Sequence, residues 1–320
     1  MSIQRRDRST VPRPRVTWDD VKFAAELPLL WGAARMVPEP RWEALCYRLE
    51  SIKARLGLFD PAPVARTAQR VLGPTSESFD ATAFAIASAA GRSEHHLQIL
   101  KSGTRGGWNA APVLRGEAHL DAALAAGHGA VLWVAHFCFN ALATKMALSA
   151  AGYPVSHLSR PEHGFSKSRL GIALFNGIRV RAELAHLAGR IVIDRERPMA
   201  ATLAAQRLLR KNGIVSLTAG AWEGQRLATI NLLGGTLRLA VGAPGLARLA
   251  GAALLPVFTV RGQPGDIIAV VIEPPLAIPA GADADAALAA SAQQFGTLLD
   301  AYVRRYPREW RDWKSLAFPA

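Results

Sequence analysis

The sequence predicts an α/β fold, with a mostly parallel central sheet flanked by helices and a helical N-terminal region ahead of it. Three observations carry that reading. From Gly116 onward, short apolar runs of strand length alternate with Ala-, Leu- and Arg-rich segments of helical length. Before that point, from residue 16 to 110, the pattern is helical throughout. The 320 residues are 50% hydrophobic and 20% charged, a balance that builds a sizeable core rather than a disordered chain.

In chain order, residues 1–15 are polar, Arg-rich and interrupted by proline, which reads as a disordered basic arm without the apolar stretch of a cleavable signal. Residues 16–70 read as helical, with turns at 38–40 and 57–63. The apolar segment 23–37 carries Glu26, Pro28 and Arg35, so it is too short and too charged for a transmembrane helix. Two readings stay open for it. It lies in a membrane interface anchored by Trp18, Trp31 and Trp42, or it packs on the domain. A further helix is expected to start at Thr75 with its body over 81–90, and glycines break the pattern at 103–107.

The α/β core spans residues 111–315. Its expected helices are 117–126, 140–151, 198–211, 242–250 and 284–305, with 167–176 a helix or a loop. Its expected strands are 130–135, 155–158, 191–193, 214–218, 254–260 and 267–272.

A formal charge of +13 makes the surface attractive to phosphates. Nucleic acid, anionic lipid surfaces, acidic carrier proteins and thioester cofactors all fit that sign. The arginines are spread along the chain without a basic tract or an aromatic platform, which argues against nucleic acid. Cys46 and Cys138 give no disulfide framework and no metal-ligand spacing. Neither a dinucleotide-binding glycine motif, nor a phosphate-binding Walker loop, nor a Gly-x-Ser-x-Gly elbow occurs. His95, His96, His119, His128, His157, His163 and His186 form no metal set with acidic neighbours and read mostly as surface or loop histidines.

One constellation stands out. His136 ends the apolar run Val131-Leu132-Trp133-Val134-Ala135, the carboxyl end of a strand, where open α/β sheets bind ligands. Taken alone it reads as a core histidine; in company it reads as a base. If the strands are parallel, Arg160 and the loop Glu223-Gly224-Gln225-Arg226 reach the same sheet edge. Arg160 and Arg226 would then clamp a phosphate beside an imidazole able to take a proton from a hydroxyl.

These residues also resemble a known family. Arg115-Gly116-Glu117-Ala118-His119-Leu120-Asp121 and the segment from Gly127 to Phe137 are similar to the first block of the lysophospholipid acyltransferase superfamily. The nearest branch is the lauroyl/myristoyl acyltransferases of lipid A biosynthesis. Ser159-Arg160-Pro161, Glu223-Gly224-Gln225-Arg226, the stretch from Gly242 to Pro256, and Tyr306-Pro307-Arg308-Glu309-Trp310 with Trp313 resemble its later blocks in order. The resemblance implies a glycerolipid acyltransferase-like core and transfer of a fatty acyl group from acyl-carrier protein or acyl-CoA to a hydroxyl of a lipid or glycolipid. It implies a peripheral or monotopic protein at the cytoplasmic face of a bacterial inner membrane, working on an anionic surface without metal or organic cofactor. His136 would be the general base, with Arg160, Arg226 and Gly224 binding substrate.

The family places an acid five residues after that histidine, and here Ala141 stands there, preceded by Asn140. An amide orients an imidazole but cannot balance its developing charge. Glu223 or Glu162 is expected to supply the carboxylate, with Asn140 as the alternative orienter and Cys138 as a weaker candidate acyl acceptor. The alternative function is a catalytically silent homologue that binds lipid or acyl carrier, or acts as a scaffold.

Overall fold

The computed structural model describes residues 3–5, 13–75, 78–193, 198–220, 224–263, 265–280 and 283–319. Four helices lead: α1 Trp18–Met36, α2 Trp42–Arg55, α3 Ala62–Leu72 and α4 Ala81–Ser102. Thr17 and Asp20 form a reciprocal capping box at the start of α1, each side chain meeting the other's backbone N–H. The start of α4 lies later than expected. Residues Gly73–Thr75 form a 3-10 turn, and the Asp80 carboxylate caps α4 by accepting from the N–H groups of Thr82 and Ala83 at 2.9 Å. The helix also runs past 90, because its polar second half is buried: Ser93 and Glu94 find partners in α2 and beyond.

The strands are β1 Ile3–Arg5, β2 Val113–Arg115, β3 Ala130–Val134, β4 Val155–Ser159, β5 Gly189–Val192, β6 Ile214–Thr218, β7 Arg226–Leu232, β8 Gly235–Ala240, β9 Ala253–Val260 and β10 Ala269–Ile272. Between and after them run α5 Glu117–Ala125, α6 Ala143–Ala150, α7 Arg169–Gly171, α8 Gly177–Leu184, α9 Pro198–Arg210, α10 Gly242–Ala250 and α11 Ala284–Arg305, with a π-turn at Ile172–Asn176 joining α7 to α8.

Seven strands make the main sheet in the order β2-β10-β9-β3-β6-β4-β5. β9, β3, β6, β4 and β5 are parallel, and β10 pairs antiparallel to β9. The expected α/β architecture is therefore present. β3 is central and buried on both faces, as parallel strands under helices are. Its alternate residues Ala130, Leu132 and Val134 pack in a cluster with Leu120, Leu148 and Leu255. Val131 and Trp133 join the other cluster, where Trp133 stacks on Phe295 of α11 with ring centroids 4.3 Å apart.

A second, antiparallel sheet, β1-β7-β8, is absent from the sequence reading. Ile3–Arg5, placed there in a disordered arm, pair with β7. β7 and β8 are joined through Leu233 and Gly234, with φ of 52° and 74°. That is the positive-φ pair of a tight hairpin, and a leucine disguises it in the sequence.

Candidate functional site

Parallel pairing sets Val134 of β3 level with Thr218 of β6 and Val257 of β9. The loops after β3, β6 and β4 therefore leave from one sheet edge, and His136 stands at its middle. Two neighbours hold the chain there: Ala135 N–H donates to the Val257 carbonyl at 2.8 Å, and Ala219 N–H to the Val134 carbonyl at 2.7 Å.

The segment after α11 completes the site. Pro307–Glu309 form a 3-10 turn, and Phe137 makes an antiparallel bridge with Trp310. Cys138 N–H donates to the Glu309 carbonyl at 2.8 Å, and Arg311 N–H to the His136 carbonyl at 3.1 Å. The tryptophans lock this clamp: Trp310 and Trp313 are buried edge to face, and Trp313 Nε1 donates to the Pro307 carbonyl at 2.9 Å. The Glu309 carboxylate accepts from the N–H groups of Arg261 and Gly262 at the end of β9.

This clamp delivers a carboxylate to the imidazole. Asp312 Oδ1 lies 2.9 Å from His136 Nδ1, and both side chains keep a little solvent exposure. A carboxylate at Nδ1 favours the tautomer with its proton there, leaving Nε2 as the basic nitrogen. Burial moves the His136 pKa below its ordinary value by disfavouring imidazolium, against the opposing pull of Asp312. Arg311 and Arg179 lower it further. The imidazole is thus neutral near pH 7.

The residues singled out in the sequence are placed as follows. Glu223 lies outside the described residues. Asn140 is buried, and its backbone N–H bonds Phe137; the described partner at His136 Nδ1 is Asp312, not this amide. Glu162 is buried in an ion pair with Arg13. Arg160 stands at the carboxyl end of β4, two strands from β3, and its carbonyl accepts from Arg190 Nη2 at 2.5 Å. Arg226 opens β7 and is paired with Asp285 of α11. Gly224 has a packing role, since a Cβ there would meet the Ala240 side chain at 2.4 Å.

Cys138 is fully buried, and burial pushes its thiol up to about 12, so it is no nucleophile. Two histidines read as surface groups are instead interior. His95 is buried in α4, and His157 bonds Ser216 Oγ at 2.9 Å. His163 Nε2 meets Glu183 Oε2 at 2.7 Å, the same oxygen that takes Lys145 Nζ at 2.7 Å, while Arg179 Nε donates to Oε1. This buried network ties α6 and the loop after β4 to α8.

Asp312 is the site residue the sequence reading missed. Its one sequence mark is a lone acid between Trp310 and Trp313, and nothing local connects it to His136.

Of the expected membrane anchors, Trp18 and Trp31 are 67% and 50% exposed on α1, whereas Trp42 is 1% exposed and part of the core. Leu29 and Met36 are exposed on the same helix. Among the described residues no helix is long and apolar enough to cross a membrane, and no group of His, Cys, Asp and Glu could hold a metal ion. The chain matches no known family model and no curated protein.

Proposed function

We propose that the protein is an O-acyltransferase that moves a fatty acyl group from acyl-carrier protein or acyl-CoA to a hydroxyl of a lipid or glycolipid. The observation that carries this reading is the 2.9 Å pairing of His136 and Asp312 at the carboxyl end of the central strand. It supplies the carboxylate whose absence from position 141 favoured the silent alternative.

In this scheme Nε2 of His136 takes the proton of the acceptor hydroxyl as its oxygen attacks the thioester carbonyl. The tetrahedral intermediate collapses, the C–S bond breaks, and the imidazolium returns its proton to the departing sulfur. Ester and thiol are the products. Asp312 stays ionised and stabilises the imidazolium between the two transfers. The exposed apolar side chains of α1, Trp18, Leu29, Trp31 and Met36, support a peripheral position on a membrane surface, where donor and acceptor meet.

The test is incubation of the purified protein with isotope-labelled acyl-carrier protein or acyl-CoA and a bacterial lipid extract, read by mass spectrometry. Labelled ester that appears with wild type and not with His136→Ala supports the reading. Thioester hydrolysis without ester formation, or equal product from both proteins, removes it.

A further inference from the structure

Beside the dyad lies a group of charges the reaction scheme does not use. α4, α8 and the Pro307–Glu309 turn meet around it, with α4 packing on both of the others. Arg92 comes from α4, Arg179 from α8 and Arg311 from just beyond the turn. Arg92 follows Gly91, where an added Cβ would lie 2.9 Å from Cys138 Sγ, so this part of α4 abuts the loop after β3. Arg179 is held by Glu183, and the Arg311 backbone bonds the His136 carbonyl.

Arg311 and Arg179 are close enough to act on His95, His96 and His136, and Arg92 on Arg311 and His96. Burial and the like charges of Arg179 and Arg92 bring Arg311 down to about 10. Cations gathered in a poorly solvated place need an anion. Among the described residues the nearby carboxylates are already engaged, Asp312 by His136, Glu183 by Lys145, His163 and Arg179, and Glu309 by the N–H groups of Arg261 and Gly262. The Nε of Arg311 is buried without a hydrogen-bond partner among the described residues. So are both ring nitrogens of His95, a residue only 1% exposed. Orphaned polar groups concentrated beside a reactive imidazole mark a missing partner.

We propose that Arg92, Arg179 and Arg311 form an anion site that holds a phosphate group of the substrate next to His136. Guanidinium forks suit phosphate oxygens, and a phosphate fixed there would set its bearer's reacting group against the imidazole. That the ligand is a reaction partner rests on the acyl-transfer reading; the site itself rests on the geometry. Both the thioester donor and a phospholipid acceptor carry such a group.

The experiment is equilibrium binding by calorimetry to the full chain, with pyrophosphate, coenzyme A, and phosphatidic acid in detergent micelles as probes. Wild type is compared with Arg311→Gln, Arg179→Gln and the exposed control Arg248→Gln on α10. Saturable binding of at least one probe should weaken about tenfold or more in Arg311→Gln and Arg179→Gln. It should be kept in Arg248→Gln. If Arg311→Gln does not fold, Arg92→Gln carries the same comparison. Binding of coenzyme A alone assigns the phosphate to the donor, and of phosphatidic acid alone to the acceptor; either supports the site. Equal affinity in all variants, or no saturable binding of any probe, overturns it. Binding that persists in a protein without transfer activity leaves the site standing and removes only the acyl-transfer reading.

Discussion

His136 Nδ1 and Asp312 Oδ1 stand 2.9 Å apart although 176 residues separate them in the chain. The pairing is made by backbone rather than by side-chain reach. The segment around Trp310 is zipped antiparallel to residues 136–138, and its tryptophans are sunk in the main core. The carboxylate is therefore placed by main-chain pairing and by the buried tryptophans on either side of it. Ala141 at the fifth position after His136 does not by itself imply a silent protein.

The acidic limb of a kcat/KM profile reports the free His136. Its pKa is lowered by burial, so the limb should fall below the ordinary imidazole value of 6.5, with activity lost as pH drops through it. In Asp312→Asn the anion that favours imidazolium is gone, and the limb should move to still lower pH. A limb that stays put in that variant would show that Asp312 does not act on the titrating group.

Cys138 is expected to be inert. Its raised pKa and complete burial predict no alkylation by iodoacetamide in the folded state, and Cys138→Ala should keep transfer activity within about threefold. The same sulfur limits α4. Gly91→Ala should cost about 1–3 kcal/mol in urea denaturation because its Cβ would press on Sγ, and Cys138→Ala should recover part of that loss.

Arg261 ties the N-terminal helices to the sheet edge. Its Nη2 donates to Glu94 Oε2 and to Glu43 Oε2, each at 3.0 Å, and it lies over the Phe139 ring. Arg261→Leu would leave Glu94, 2% exposed, without its cation. Destabilisation of about 3 kcal/mol or more is expected in urea unfolding. A loss below 1 kcal/mol would mean that apolar packing alone joins the two parts.

Sedimentation with anionic vesicles separates the tryptophans. Trp18→Ala and Trp31→Ala should each weaken binding about fivefold, in line with roughly 1 kcal/mol per partly buried ring, and leave stability unchanged. Trp42→Ala should instead destabilise the fold by about 3–5 kcal/mol, as it lies in the core. Unchanged vesicle binding in both α1 variants would remove α1 as the membrane contact.

Legibility in the sequence followed the range of the interactions. β3 could be read because an unbroken apolar run after a glycine turn has few other uses, and His136 came with it. The alternation of apolar runs with Ala- and Leu-rich stretches of helical length marked α5, α10 and α11 to within a residue or two. β7 and β8 escaped because Leu233 replaces the usual polar residue of the hairpin turn, and β1 exists only by pairing with β7. The interior histidines of α4 and β4 looked polar and therefore external; Ser216 and Glu183, which help to hold His157 and His163, are distant in sequence. Asp312 depends on the whole sheet being assembled before its segment can close on β3. The arginines behaved likewise, since charge count announced an anion partner but only packing chose Arg92, Arg179 and Arg311 as its neighbours.

A cycle of single-turnover acyl-transfer rates in wild type, His136→Ala, Asp312→Asn and the double variant tests the dyad most directly. Residues that act as one unit are strongly non-additive. Asp312→Asn should therefore be slower than wild type by about 10²- to 10⁴-fold, and the double variant no slower than His136→Ala. Asp312→Asn at the wild-type rate, or losses that simply multiply in the double variant, would contradict the pairing of His136 with Asp312 as the catalytic base.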